Sequence, residues 1–367
     1  MDLKENAWIW TLALLLIGGV AFFAVSDVLH PPLLPSLSQS GANQSLQSAI
    51  YPLEPNWSAY EGVINGPNGD NLSAADLRGR VVLVDFWTYS CINCIRTLPY
   101  IEAWQQRYGP QGFVVVEVHS PEFEFEKSRA NVQAAVNQYN LTTITVLDGE
   151  HRIWDEFGNA YWPHMYLIDG NGYIRYDHIG EGAYDQTESE IRSLLMEQNK
   201  TVSMPSAQPV ALTPIDIVDF TQVGTPELYF GSASGRQAIA NSPLEIISGQ
   251  PTLFTLPTAL TPNLIYLNGT WTDEGESMRL VSGEGDIAII YHAKDLHLVA
   301  DLTNGNASAQ VYLDGQVYSG PEADANGTVS IGSSRLYSLV LTSGYETHTA
   351  RIHITGAGFR AYSFTFG

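Results

Sequence analysis

The chain has 367 residues, of which 44% are hydrophobic and 15% are charged, so it is long enough for two domains that each bury a core. Asp and Glu number 39 against 17 Lys and Arg, which gives a formal net charge of -22. Because so acidic a surface repels phosphate backbones, the composition argues against nucleic acid as a partner.

An apolar segment without charged residues covers residues 7–26, and about 20 apolar residues suffice to span a bilayer. We expect a transmembrane signal anchor there, preceded by a cytoplasmic stub at residues 1–6. The alternative is a cleaved signal peptide with a weak small-x-small site at Ala24–Ser26. Residues 27–50 are rich in Pro, Ser and Gln, as expected for a tether. Either alternative places the rest of the protein outside the cytoplasm, on the periplasmic or cell-surface side.

Residues 51–199 alternate between strand and helix patterns. The runs "VVLVDFW" (Val81–Trp87) and "FVVVEVHS" (Phe113–Ser120) are typical of strands that are buried on both faces. Apolar residues at helical spacing between and after these runs predict helices. This alternation predicts an α/β domain.

The end of this domain carries a hairpin and a helix. A Gly-Asn-Gly turn at Gly170–Gly172 separates two predicted strands. Thr187 and Glu190 have capping-box spacing, which predicts that the last helix begins there.

The pattern changes after a Pro/Ser/Ala-rich linker at residues 200–214. Residues 215–367 contain short alternating runs such as "DIAIIYHA", "LHLVADLT", "RLYSLVLT" and "TARIHIT", and Asp314–Gly315 sits where a two-residue hairpin turn belongs. This half therefore predicts an all-β sandwich of the jelly-roll kind.

Cys91 and Cys94 are the only cysteines of the chain. A structural zinc site needs four ligands, so we expect no metal. A C-x-x-C pair that follows a strand and opens a helix predicts redox chemistry, with an inert buried pair as the alternative. The helix N-terminus favours a thiolate at Cys91, which makes it the attacking sulfur, and Cys94 lies one turn inward. The expected redox group is the Cys91–Cys94 disulfide, and no other cofactor is expected.

These residues carry a family resemblance. The run "VVLVDFWTYSCINC", the later Pro99 and the pair Trp162–Pro163 before a strand resemble the thioredoxin superfamily. An extra helix and strand before Asp148 resemble membrane-tethered thioredoxins of the TlpA kind. The segments "YWPHMYLIDGNG", "TPELYFG" and "SFTFG" resemble the soluble part of DipZ-type proteins. There, a thioredoxin-like domain precedes a sandwich that resembles a carbohydrate-binding module. At the N-terminus this chain has one predicted span where those proteins have a multi-span membrane domain.

The resemblance implies roles for four residues. Cys91 is the nucleophile, Cys94 the resolving thiol, and Pro163 the cis-proline whose loop faces the disulfide. Asp85 stands six residues before Cys91, at the position of a buried acid that exchanges a proton with the second cysteine. Burial within an apolar strand predicts a raised pKa for Asp85, and a hydrogen-bonded structural Asp is the alternative.

Six further residues are candidates for the substrate groove: Trp87, Ile92, Asn93, Glu122, Trp162 and His164. Trp87 packs under the C-x-x-C motif, and Ile92 and Asn93 set the local electrostatics around it. Glu122 is a candidate because TlpA-like proteins can place a carboxylate near the active site. Trp162 and His164 would form the groove wall. The alternatives are a solvated Glu122, a Trp162 in the core and an exposed His164.

The leading hypothesis is a membrane-anchored, extracytoplasmic thiol–disulfide oxidoreductase that acts on exported proteins. The resemblance favours a reductant supplied by a membrane electron donor. One alternative is a peroxiredoxin-like peroxidase, because Thr88 and Cys91 have T-x-x-C spacing. Another is an envelope binding protein whose sandwich binds glycan or a protein partner. Its candidate contact aromatics are Tyr266, Trp271, Tyr312 and Tyr318, although aromatic residues in strands are more often core residues.

Overall fold

The computed structural model describes residues 51–55, 57, 60–199, 201, 203–242 and 247–367. The predicted stub, anchor and tether all fall within residues 1–50 and lie outside the described residues. Within the described ranges, no helix is both long enough and apolar enough to cross a membrane. By their contacts, residues 51–367 belong to one unit.

The first half of this unit is a six-stranded sheet in the order β1-β4-β3-β2-β5-β6. Its strands are β1 (Gly62–Ile64), β2 (Val81–Trp87), β3 (Phe113–His119), β4 (Ile144–Leu147), β5 (His164–Ile168) and β6 (Ile174–Ile179). The helices are α1 (Ala74–Leu77), α2 (Ile92–Tyr108), α3 (Arg129–Gln138), α4 (Arg152–Glu156) and α5 (Tyr184–Gln198). Strands β2, β3 and β4 run parallel, and β5 is antiparallel to β2.

The central strand β2 is buried along its whole length because helices cover both faces of the sheet. Val82, Val84 and Phe86 pack into the apolar cluster on one face, and Val81 and Leu83 pack into the cluster on the other. Burial of each such side chain stabilises the fold by about 1.5–3 kcal/mol. The predicted strands at residues 81–87 and 113–120 are thereby confirmed, the second ending one residue early.

The end of this half differs from the sequence prediction at one point. The hairpin turn at Gly170–Gly172 is present between β5 and β6. However, α5 begins at Tyr184, so the predicted capping box at Thr187 and Glu190 is wrong. Thr187 lies inside the helix, and the Tyr184 ring stacks on Tyr100 at 3.6 Å between centroids. This tertiary contact extends the helix beyond the local capping signal.

The second half is β-rich and forms a ten-stranded sheet. Eight strands follow the order β13-β12-β15-β11-β16-β10-β9-β8, and the other two, β7 and β14, pair with β16 and β12. Its strands are β7 (Leu228–Tyr229), β8 (Pro251–Phe254), β9 (Tyr266–Asp273), β10 (Met278–Leu280), β11 (Glu284–Leu302), β12 (Ala307–Leu313), β13 (Gln316–Tyr318), β14 (Thr328–Ile331), β15 (Arg335–Thr355) and β16 (Phe359–Phe366). We call residues 215–367 the β-rich region.

Two long strands replace four predicted short ones in this region. The runs "DIAIIYHA" and "LHLVADLT" are the two parts of β11, and "RLYSLVLT" and "TARIHIT" belong to β15. The pairing of β11 with β15 is irregular at two places, between Ala293 and Asp295 and between Leu296 and His297, as at bulges that bend a strand. The predicted turn at Asp314–Gly315 joins β12 to β13, and both residues have positive φ.

The aromatic residues proposed for sugar contact do not form an exposed face. Trp271 is fully buried in the core, and its indole N–H donates to the Asn268 carbonyl at 2.8 Å. Tyr266 is buried as well. The Tyr318 hydroxyl donates to the Leu341 carbonyl at 2.6 Å, and the Tyr312 ring lies under the Arg351 guanidinium. Tyr266 and Trp271 are thus buried, Tyr318 is half-buried against the core, and Tyr312 is half-buried outside it.

Candidate active site

The two cysteines open helix α2, directly after the buried strand β2. Cys91 is the N-cap residue, and its Sγ accepts a hydrogen bond from the Cys94 backbone N–H at 3.2 Å. Cys91 is half-buried, whereas Cys94 is completely buried, and both are free thiols. The helix N-terminus offers unpaired N–H groups and the positive end of the dipole to Cys91 Sγ. One sulfur is therefore accessible to a reactant and the other is sheltered behind it.

Cys94 lies in surroundings that keep it protonated. Burial raises the pKa of its thiol well above the ordinary value, and the contact with Cys91 and the charge of Asp85 raise the pKa further. A thiol in this state attacks a disulfide only after it loses its proton. The arrangement therefore calls for a proton acceptor near Cys94.

Asp85 lies in the middle of β2 and is completely buried. Neither oxygen of its carboxyl group has a hydrogen-bond partner among the described residues. Burial raises the pKa of Asp85 well above its ordinary value, as the sequence predicts. Since its charge also acts on Cys94, Asp85 is close enough to couple to that thiol.

A second buried acid, which the sequence analysis missed, stands beside Asp85. Glu117 of β3 is the register partner of Asp85 in the parallel pairing of β2 and β3. Its Oε1 accepts from the Thr143 hydroxyl at 3.2 Å. Burial raises the pKa of Glu117 well above its ordinary value, and the charge of Asp85 adds to the effect. The same signal that singled out Asp85, an acid within a continuous apolar run, is present in "VVVEVHS".

The loop before β5 carries a cis peptide bond between Trp162 and Pro163. The Trp162 indole N–H donates to the Ser120 carbonyl at 2.9 Å, and its ring packs on Trp154. Pro163 itself is buried, and its carbonyl accepts from the Gly180 N–H at 2.8 Å. The loop is thus tied to the end of β3 and to the end of β6.

Cys91 opens into a cavity of about 210 Å³ that both halves of the chain line. The first half contributes Cys91, Ile92, Asn93, Glu122, Ala160, Tyr161 and Trp162. The β-rich region contributes Glu227, Tyr229, Arg236 and Thr365. Four of the predicted groove residues, Ile92, Asn93, Glu122 and Trp162, therefore meet at the nucleophile. The contribution of the β-rich region is new.

Comparisons with known proteins agree with this geometry. A family model described as Redoxin matches residues 59–195, and a model described as Thioredoxin like C-terminal domain matches residues 225–367. Both matched regions are thus similar to proteins of the thioredoxin superfamily. The predicted resemblance is therefore confirmed, as is a thioredoxin-like domain followed by a β-rich region. From here on we call residues 51–199 the thioredoxin-like domain.

Individual relatives extend the match. Protein DipZ of Mycobacterium tuberculosis is 31% identical over 313 residues, which cover 85% of this chain and 42% of that protein. The chain thus spans less than half the length of this relative. The thiol-disulfide oxidoreductase YkuV of Bacillus subtilis is 25% identical over 130 residues, which cover 35% of this chain and 87% of that protein. A solved structure of a putative thiol:disulfide interchange protein DsbE from Chlorobium tepidum shares 24% identity, with a TM-score of 0.35, over 40% of this chain and 96% of that one.

Two of the predicted groove residues lie elsewhere in the thioredoxin-like domain. Trp87 is completely buried and packs edge-on against His119 behind the motif, in keeping with the expected packing role. His164 is buried in β5, so neither the expected groove wall nor the exposed alternative is correct. Its Nδ1 lies 2.5 Å from Asn159 Oδ1, and its Nε2 lies 3.2 Å from Asp177 Oδ2. These two partners hold the imidazole within the fold.

A further acid, which no sequence pattern singles out, fixes the loop after β3. Glu126 is completely buried, and its carboxylate accepts from the Ser90 hydroxyl at 2.5 Å. It also accepts from the backbone N–H groups of Glu122 at 2.6 Å and Phe123 at 2.9 Å. Glu126 thus joins the residue before Cys91 to the loop that carries Glu122. The spacing of Phe123 and Glu126 gives no strong capping signal, because Phe cannot act as a polar cap.

Proposed function

We propose that the chain is an extracytoplasmic thiol–disulfide oxidoreductase that exchanges the Cys91–Cys94 pair with disulfides of exported proteins. The observation that carries this proposal is the asymmetry of the two sulfurs. Cys91 lines the cavity at a helix N-terminus, and Cys94 is buried within reach of the charge of Asp85. Relatives named as thiol-disulfide oxidoreductases and the Redoxin match support the same chemistry.

The exchange would proceed in two steps. The Cys91 thiolate attacks a substrate disulfide, forms a mixed disulfide and displaces one substrate thiolate. Asp85 then accepts the proton of Cys94, and the Cys94 thiolate attacks Cys91 Sγ. The second substrate sulfur leaves as a thiolate that takes up the proton from Asp85. The two electrons of the dithiol have then passed to the substrate as the Cys91–Cys94 disulfide forms. No other redox group takes part in this scheme.

The direction and place of the reaction are part of the proposal. Similarity to DipZ supports a reductant outside the cytoplasm, held at the membrane by residues 7–26 and reduced by a membrane electron donor. The loop of Pro163 would pair with the substrate backbone beside the disulfide. The β-rich region would be a jelly-roll sandwich like a carbohydrate-binding module that docks envelope glycan or a protein partner.

The peroxidase alternative gains no support from the position of Thr88. A peroxiredoxin-type site needs this hydroxyl beside the nucleophile and facing the peroxide. Thr88 is completely buried, and its Oγ1 lies 3.3 Å from the Nε2 atom of His119. We therefore propose disulfide exchange alone.

Equilibration of the chain with glutathione buffers of graded potential tests the proposed function. We expect Cys91 and Cys94 to be oxidised and reduced together as one two-electron couple. The mass added by alkylation measures how many of the two thiols are reduced at each potential. Cys91→Ser and Cys94→Ser variants should each lose this couple. If both thiols of the wild-type chain alkylate fully at every buffer potential, the pair forms no disulfide and the proposal is wrong.

A further inference from the structure

Two carboxyl groups in the cavity share one phenol hydroxyl. The Tyr229 hydroxyl oxygen lies 2.6 Å from Glu122 Oε1 and 2.8 Å from Glu227 Oε2. The Arg236 guanidinium lies over the Tyr229 ring at 4.2 Å from its centroid. All four side chains line the same cavity as Cys91. The exchange steps described above use none of them.

The number of protons in this cluster follows from its geometry. A phenol carries one proton and donates it to one acceptor, whereas an ionised carboxylate can only accept. If Glu122 and Glu227 were both ionised, one of the two short contacts would join two acceptors. One carboxyl group must therefore be protonated and donate to the Tyr229 oxygen, while that hydroxyl donates to the other. The cluster holds one carboxylic acid proton beside Cys91.

The surrounding charges are consistent with this count. Burial raises the pKa of Glu122 to about 8, and the charges of Glu227 and Glu126 add to the effect, while Tyr229 and Arg236 oppose it. Burial also raises the pKa of Glu227, again against the effects of Tyr229 and Arg236. The pKa of Tyr229 is raised too, mainly by burial and then by the two carboxylates, so the phenol stays neutral. The acid therefore keeps its proton near neutral pH.

The exchange reaction needs a proton at this place. When the Cys91 thiolate attacks a substrate disulfide, an alkyl thiolate leaves, and it leaves faster if an acid protonates it. We propose that Glu122 and Glu227, linked by Tyr229, donate this proton to the leaving sulfur of the substrate. This inference rests on the proposed function and adds a proton donor to it.

The proton balance of a full turnover closes with this donor. The reduced chain supplies one proton from Cys94, through Asp85, and the cluster supplies the second. The products are two substrate thiols, the Cys91–Cys94 disulfide and a cluster in which both carboxyl groups are ionised. The ionised cluster takes up a proton from water before the next turnover, or from the incoming dithiol when the disulfide is reduced again.

The donor exists only where the two halves of the chain meet. Glu122 belongs to the loop after β3, and Glu227 and Tyr229 belong to the β-rich region. Neither half alone places two carboxyl groups within hydrogen-bond distance of the Tyr229 hydroxyl. The β-rich region, which contains no cysteine, would thus take part in the proton transfer of the exchange.

Two disulfides with different leaving groups test the donor in single-turnover experiments with the reduced chain. The aromatic thiolate of 5,5′-dithiobis(2-nitrobenzoate) leaves readily without a proton, whereas the alkyl thiolate of hydroxyethyl disulfide has a high pKa and leaves slowly. We expect Glu122→Gln and Glu227→Gln each to lower the rate of reaction with the alkyl disulfide by about 10-fold or more. The rate with the aromatic disulfide should fall by less than about two-fold. The matched control is Glu284→Gln, at an exposed position of the same β-rich region, which should change neither rate.

The double variant and the pH profile sharpen the test. The double variant Glu122→Gln/Glu227→Gln should be no slower than either single variant, because each alone removes the shared proton. In the wild-type chain, the ratio of alkyl to aromatic rates should fall as the pH rises through about 8, the pKa of Glu122. In Glu122→Gln this ratio should not change with pH.

Three results separate the inference from the proposed function. Equal slowing of both disulfides would show that the carboxyl groups only shape the cavity, and no slowing of either would show that they are not needed. Both results overturn the donor. A wild-type chain that reacts with neither disulfide would instead overturn the exchange function itself. If a variant reacts slowly with the alkyl disulfide but keeps its rate with the aromatic one, the variant is folded and the proton donor is confirmed.

Discussion

The thioredoxin-like domain and the β-rich region contribute different things to one cavity. The domain supplies both sulfurs, the buried Asp85 and the loop of Trp162. The β-rich region supplies no sulfur, yet Tyr229 and Arg236 line the space in front of Cys91. Both sulfurs therefore come from one region, whereas the proposed proton donor and the surroundings that a substrate meets come from both. Changes in the β-rich region should therefore affect the exchange chemistry as well as the choice of substrate.

An apolar cluster joins the two regions next to the nucleophile. Ile92, the residue after Cys91, is buried with Phe123 of the same domain. They pack with Tyr229, Leu336 and Tyr362 from the β-rich region in the same cluster. A change at this contact should therefore reach the first turn of α2.

The largest effect on the contact between the regions should come from Arg96→Met. Arg96 of α2 is completely buried, its Nε donates to the Ile215 carbonyl at 2.8 Å, and its Nη2 lies 3.4 Å from Asp295 Oδ2. Removal of the cation leaves the buried Asp295 without this partner, which costs about 3–5 kcal/mol for a buried pair. Guanidinium unfolding measures the loss of free energy.

An exposed pair in the β-rich region provides the control for this change. Arg279 lies 2.5 Å from Glu274, and both side chains are 31% exposed, so Arg279→Met should cost no more than about 1 kcal/mol. If Arg96→Met costs no more than Arg279→Met, the ion pair does not hold the two regions together.

A smaller loss, confined to turnover, should follow from Asp85→Asn. The variant lacks the acceptor for the Cys94 proton, so we expect turnover of a small disulfide near pH 7 to fall by about 10- to 100-fold. Formation of the mixed disulfide at Cys91 should keep its rate. Stopped-flow measurement of the two steps separates them, and an unchanged second step would make Asp85 a structural residue.

The same substitution should change how stability depends on pH. The pKa of Asp85 is raised in the folded state, so the wild-type chain loses stability as the pH rises from the unfolded value of about 4 through the folded-state pKa. Asp85→Asn lacks this loss, and its advantage in unfolding free energy should grow as the pH rises above about 4. The exposed Asp155→Asn should show no such trend.

The smallest effect should come from His164→Gln. The side chain is held by Asn159 and Asp177 and does not line the cavity, so we expect the exchange rate to change by less than about two-fold. Trp162→Leu, which removes part of the cavity wall, should change the rate more in the same assay. A larger loss in His164→Gln than in Trp162→Leu would mean that the cavity is not where the substrate binds.

The sequence predicted what local patterns control. β2 follows from its continuous apolar run, and an acid in such a run must be buried, which explains Asp85. Glu117 lies in an apolar run of the same kind and is likewise buried. The contact of Glu122 with Tyr229 joins residues 107 positions apart and has no local pattern. The capping spacing does not predict the start of α5, because the stacking of Tyr184 on Tyr100 is also a distant contact.

The most direct test of the account identifies which sulfur holds a trapped substrate. A protein with one exposed disulfide is mixed with the reduced Cys94→Ser and Cys91→Ser variants, and the adducts are located by mass spectrometry. The account predicts that Cys94→Ser accumulates a mixed disulfide at Cys91, because the resolving thiol is gone. Cys91→Ser should form almost none, because Cys94 is buried and stays protonated. Equal adducts in both variants, or none in either, would contradict the assignment of Cys91 as the nucleophile and Cys94 as the resolving thiol.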